Sequence, residues 1–114
     1  MQIAVIGATG FVGSHLVPHL AAQGHAVRAV SRSGARRPEW PDSVVAFAAD
    51  VETGAGLAEA LHGTDAIVHL VAIPRESKGR RFEAVNAGGV RRSVEAAREA
   101  GVHRFVHMSV LGVT

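Results

Sequence analysis

Three glycines stand at relative positions one, four and seven of the run Gly7-Ala8-Thr9-Gly10-Phe11-Val12-Gly13. The run follows the apolar segment Ile3-Ala4-Val5-Ile6 and leads into Ser14-His15-Leu16-Val17, so the order reads strand, tight turn, helix. The chemistry open to such a run is anion binding. The first N–H groups of a helix have no partner inside the helix and point at whatever negative charge lies before them. A dinucleotide pyrophosphate requires this order of parts. Gly7 allows the sharp exit from the strand, Gly10 lets backbone approach phosphate with no Cβ between, and Gly13 lets the helix pack closely on the sheet. Thr9, Phe11 and Val12 belong to the same loop. The alternative is a turn that binds nothing, but a glycine pattern placed between a strand and a helix favours the dinucleotide.

The end of the next strand bears on which dinucleotide it is. Selection of NAD calls for a carboxylate about 20 residues beyond the glycines, to hold the ribose hydroxyls. The first acidic residue anywhere in this chain is Glu39. At the corresponding place stand Ser31 and Arg32, followed by Ser33, Arg36 and Arg37. A carboxylate there would repel a ribose 2′-phosphate, whereas a hydroxyl and a guanidinium would bind one through charge-assisted hydrogen bonds. NADP is therefore the expected cofactor, with NAD the alternative. Arg36 and Arg37 are read equally as phosphate ligands or as a solvated loop.

The elements that must hold these residues can be traced along the chain. Strands are expected over 3–6, 26–30, 44–48, 66–71 and 104–108. Helices are expected over 11–23, 54–61 and 80–100, the first and last ended by Gly24 and Gly101. Pro18 falls inside the first helix and should remove a backbone bond there. Residues 31–43 contain Gly34, Pro38 and Pro41 and are read as irregular. Gly88-Gly89 inside the last helix costs about 1 kcal/mol per glycine, which points to a close approach by backbone or ligand. Strands alternating with helices specify an α/β fold. The expected form is a Rossmann-type open parallel sheet in the order 3-2-1-4-5, with helices on both faces. Ending just after the fifth strand, residues 1–114 read as the N-terminal dinucleotide-binding part of a larger protein.

Composition excludes several classes. The chain has 114 residues, 47% hydrophobic and 19% charged, with a formal net charge of +2, a globular balance and not a disordered one. No apolar run reaches the roughly 20 residues of a membrane span. With no cysteine, disulfides and thiolate metal sites are excluded, and a cytoplasmic setting is expected. All the basic residues but Lys78 are arginines, and Arg91, Arg92 and Arg98 interleave with Glu95 and Glu99. With four Phe, one Trp and no Tyr, aromatics for base stacking are scarce, so no nucleic-acid partner is expected. Among the seven histidines, His15 and His19 share a helix face with no acidic residue to complete a metal site, so none is expected. His69 and His107 read as core or ligand-rim residues on strands.

Taken together, these runs resemble the short-chain dehydrogenase/reductase superfamily, in its extended and atypical, epimerase/dehydratase-like branches. The segment from Val85 to Gly112 is similar to the complex I accessory NAD(P)H-binding subunit and to bacterial sugar-nucleotide epimerase-like proteins. The resemblance implies an adenine-contacting pair at Asp50-Val51 and a segment beside the cofactor ribose at Leu70, Val71 and Ala72. It also implies the asparagine of the family's helix motif at Asn86 and a catalytic serine at Ser109, the latter read equally as a strand-end hydroxyl. It implies hydride transfer in an oxidoreductase or nucleotide-sugar epimerase/dehydratase-like enzyme. The small-molecule substrate would then be bound by segments outside this chain, and a homo-oligomer is compatible with the family. One departure stands out: hydride-transferring members use Tyr-x-x-x-Lys for proton transfer, and this chain has no tyrosine. The alternative is thus a non-catalytic NADP(H)-binding redox sensor or accessory subunit.

Overall fold

The computed structural model describes residues 1–70 and 87–107. Five strands, β1 (Gln2–Ile6), β2 (Ala26–Ser31), β3 (Val45–Ala48), β4 (Ala66–His69) and β5 (Arg104–His107), form one sheet in the order β3-β2-β1-β4-β5. All four pairings are parallel, with Ile6 beside Val30 on one side and His69 on the other. Helices α1 (Phe11–Ala22), α2 (Leu57–Leu61) and α3 (Ala87–Glu99) complete the described elements. A parallel sheet needs cover on both faces, and the strand residues divide accordingly. Ile3, Val5, Val27 and Ala29 pack with Val17 of α1, while Ala4, Ile6, Val30 and Ile67 pack with Leu57, Leu61 and Ala97 of α2 and α3. The expected order and two-faced covering are both present.

One helix start differs from the sequence reading. The helix expected from Gly54 begins only at Leu57, because residues 50–56 fold into a hydrogen-bonded turn. The helix expected from Arg80 is described from Ala87 onward, and its earlier part lies outside the described residues. Five residues make α2 too short to persist alone, and Arg28 of β2 supports its end. That guanidinium donates to the carbonyls of Ala60 (3.0 Å) and His62 (2.5 Å) and to Oε1 of Gln2 (3.3 Å), with the Phe47 ring 5.3 Å away. It thereby caps carbonyls that the helix leaves open.

Pro18 does remove a backbone bond, but α1 runs through it as one helix. The bond lost is the one a residue at position 18 would donate to the carbonyl of Ser14. That carbonyl instead accepts the indole N–H of Trp40, at 3.3 Å. Trp40 is only 3% exposed and packs with Val17 and Val44, so the breaker-rich segment after β2 is docked on α1 by its one large apolar residue. Arg36 organises the rest of it, its guanidinium donating to the carbonyls of Trp40, Pro41 and Val44.

The carboxyl ends of β4 and β5 carry His69 and His107, paired in register. Their Nδ1 atoms lie 3.1 Å apart, and the His69 ring stacks on Phe105 at 5.9 Å. His69 is wholly buried, and its Nε2 has no partner among the described residues. An orphaned lone pair is tolerated more readily than an orphaned N–H, so we assign the shared proton to His69 Nδ1, donating to His107. Burial, reinforced by His107, pushes the His69 imidazole down to about 4 from its ordinary 6.5.

These arrangements make two predictions for stability. Trp40→Phe should cost about 1–2 kcal/mol by removing the indole donor to the Ser14 carbonyl, and less in a Pro18→Ala background, where residue 18 can donate instead. A double-mutant cycle by urea unfolding measures the difference, and zero coupling would contradict the substitution of one donor for the other. For His69, unfolded chains bind a proton below pH 6.5 that the folded chain refuses until about pH 4. Its contribution to stability is therefore constant above pH 6.5 and falls as the pH drops towards 4. Below that the loss levels off, at about 3 kcal/mol. His69→Leu should flatten this part of the stability–pH curve; an unchanged slope between pH 6.5 and 4 would contradict the assignment.

Candidate functional site

The sheet order reverses direction between β1 and β4, with α1 on one face and α3 on the other, and the crevice outside their carboxyl ends is where such sheets bind ligands. The glycine loop occupies the β1 side of this crevice. Gly7 has φ +91°, the left-handed region that only glycine enters without strain. The N–H groups of Gly7 and Ala8 both donate to the carbonyl of Val30, at 2.9 and 3.1 Å, which fixes the loop to β2.

The remaining two glycines differ in what requires them. A Cβ on Gly13 would stand 2.3 Å from the Gly7 carbonyl oxygen and 2.8 Å from the Ala8 Cα, so the fold itself demands glycine there. Gly10 has φ −72° and ψ 176°, and a Cβ on it would meet nothing closer than the Gly7 oxygen at 3.4 Å. Among the described residues nothing requires glycine at position 10, and the residue is exposed. Gly10 is also the N-cap of α1, no side chain caps that end, and the first turn, begun by Phe11 and Val12, contains no acidic residue. The positive end of the helix dipole thus faces the crevice without a counter-charge from its own helix.

Beside the loop, β2 ends at Ser31, which is 7% exposed and accepts the Gly34 N–H on its Oγ at 3.1 Å. The hydroxyl proton remains free to donate. Arg32 is exposed. Arg36 and Arg37, alike in sequence, separate here: Arg36 is occupied within its own loop, whereas Arg37 donates to the Thr9 carbonyl at 2.5 Å. A second guanidinium therefore lies across the glycine loop.

After β3, the Asp50-Val51 turn is held at nearly every polar group. Asp50 N–H donates to Ala55 (2.8 Å), the Asp50 carbonyl accepts Gly54 N–H (2.7 Å), and its Oδ1 accepts Glu52 N–H (2.8 Å). The Val51 side chain is buried, and its carbonyl accepts Arg92 Nη1 of α3 at 3.2 Å. Two groups are left without a partner among the described residues: the Val51 N–H, a donor, and Asp50 Oδ2, an acceptor. On the β4 side Leu70 is buried, its N–H donating to Ile6 at 2.9 Å. Val71, Ala72, Asn86 and Ser109 lie outside the described residues. Sequence reasoning missed Trp40 and Arg92, whose roles depend on partners 26 and 41 residues away.

Among the described residues no group of three metal-ligating side chains comes together, and no helix is long and apolar enough to cross a membrane. The parts that do come together fit a dinucleotide: an uncapped helix end, a glycine that no described neighbour requires, and a donor and an acceptor without partners among the described residues.

Comparison with known proteins agrees. The model of the NAD(P)H-binding family matches residues 7–114. The chain is 35% identical to a 3-beta-hydroxysteroid dehydrogenase of Mycolicibacterium neoaurum, over 93% of this chain and 31% of that protein. It is 36% identical to a ceramide reductase of Caulobacter vibrioides, over 96% of this chain and 34% of that protein. The chain thus spans about a third of the length of these curated relatives. Among solved structures, a short-chain dehydrogenase/reductase superfamily protein from Agrobacterium tumefaciens with bound NAD superposes with a TM-score of 0.77. It is 34% identical, over 94% of this chain and 32% of that one. With its glycine loop, its 3-2-1-4-5 sheet and this match over residues 7–114, the chain belongs to the NAD(P)H-binding family, alongside dehydrogenases and reductases of the short-chain type.

Proposed function

We propose that this chain holds NADP(H) in preference to NAD(H), as the cofactor-binding part of an oxidoreductase or epimerase-like enzyme. The observation that carries the reading is Gly10, a residue whose lack of a side chain serves no contact among the described residues. The pyrophosphate lies against the N–H groups at the start of α1, in the loop formed by Gly7, Thr9, Gly10, Phe11, Val12 and Gly13. The ribose 2′-phosphate is met by Arg32 and the Ser31 hydroxyl. Arg37 adds positive charge from across the loop, and no carboxylate precedes Glu39 to oppose it. The adenine edge offers a donor at N6 and an acceptor at N1, the complement of Asp50 Oδ2 and the Val51 N–H. Leu70, with Val71 and Ala72, borders the ribose, and Asn86 and Ser109 take the positions that the family resemblance gives them.

The bound nicotinamide supplies hydride transfer. This chain's residues fix its register, and with no tyrosine among its 114 residues they do not themselves make the tyrosine–lysine proton transfer of the family. The reaction partner is a small molecule, and the cytoplasm is the setting that the cysteine-free composition favours.

Isothermal titration tests the site. Gly10→Val should weaken NADPH binding by about 100-fold or more, by placing a branched side chain against the phosphates, and leave the melting transition within a few degrees of the parent. Unchanged affinity would reduce the loop to a turn. The parent should bind NADPH at least about tenfold more tightly than NADH, and Arg32→Ala should remove most of that difference. Equal affinities in the parent would overturn the preference for NADP.

A further inference from the structure

Arg92 belongs to α3, and it connects that helix to the turn after β3 through the peptide that follows Val51. Its guanidinium donates to the Val51 carbonyl, and its stem runs past Gly54, where a Cβ would stand 3.6 Å from Arg92 Cδ. It lies in the groove between α2 and α3, beside Leu57, Ala58 and Glu95. Hydrogen bonds within residues 50–55 fix the turn's shape, and its place relative to the rest of the crevice needs a reference outside the turn. Arg92 supplies that external reference on the α3 side.

We infer that Arg92 is a positioning residue for adenine recognition: by holding the Val51 carbonyl, it aims the Val51 N–H and the free Asp50 oxygen at the edge of the base. The inference rests on the proposed adenine contact of Asp50 and Val51. A hydrogen-bonding edge discriminates between bases only if donor and acceptor are held in fixed relation to the rest of the ligand, and loosening the turn blurs that relation before it abolishes binding. Arg92 itself touches no cofactor atom.

The test uses the whole 114-residue chain, titrated with NADPH and with its hypoxanthine counterpart. Hypoxanthine presents an N–H at N1 and a carbonyl at C6, the reverse of adenine. The parent should prefer the adenine form by about tenfold or more, since the wrong edge leaves buried polar groups unpaired. Arg92→Met, which keeps the stem against Gly54, should cut this preference to about threefold or less, and Arg92→Gln, too short to reach Val51, should do the same. Arg92→Lys, which restores a donor at the right length, should recover much of it. A purely structural role would weaken both ligands equally and leave their ratio unchanged in all three variants, and that result overturns the inference. A parent that binds both forms equally, or neither, overturns the adenine contact itself and the role of Arg92 with it.

Discussion

The closeness of α1 to the end of β1 is the constraint on which the rest of the site depends. At Gly13 the helix and the loop leave no room for even one carbon atom. That contact sets the direction of α1 and brings its uncapped first turn to the carboxyl edge of the sheet. A helix held a few ångströms further out would still cover Val5 and Val27, but its N–H groups would no longer face the crevice. The two bonds from Gly7 and Ala8 to Val30 complete the constraint from the other side, so the loop is anchored to β2 as well as to its own helix.

From that fixed point the neighbouring segments are added by single, long-range polar contacts. Trp40 takes the carbonyl that Pro18 leaves open and fastens the β2–β3 connection to α1. Arg37 then reaches back to Thr9. On the opposite face Arg28 caps α2, and Arg92 connects the turn before α2 to α3. Each is a charged or aromatic donor meeting a backbone carbonyl that regular structure does not use. A carbonyl held by a charged donor has a definite direction, which is what a loop must have if it is to place phosphate or base.

The parts of this architecture that depend on local pattern were legible in the sequence. Continuous apolar runs give the strands, the glycine spacing gives the loop, and their alternation with helices gives the strand order. The parts that depend on distant partners were not. Trp40 stands in a stretch full of glycine and proline, and nothing local distinguishes it from a loop residue. Pro18 announces a carbonyl in need of a donor but cannot say which donor arrives. Arg32, Arg36 and Arg37 have the same chemistry, and only the folded chain separates the one that organises its own loop from the one that crosses to Thr9. The start of α2 was misplaced because the hydrogen bonds around Asp50 claim residues up to Gly56 before a helix can form. The pairing of His69 with His107 follows from strand register, which neither strand reveals alone.

Trp40 has a consequence beyond packing. It is the chain's sole tryptophan, and there is no tyrosine, so the near-ultraviolet emission of the folded protein comes from one indole at one known place. That indole is buried, hydrogen-bonded to the first turn of α1, and part of the segment that carries Arg37. Its emission band overlaps the absorption of a reduced nicotinamide and not that of an oxidised one. The molecule thus carries a built-in optical probe of its own β2–β3 connection, sensitive to the redox state of whatever dinucleotide lies beside it.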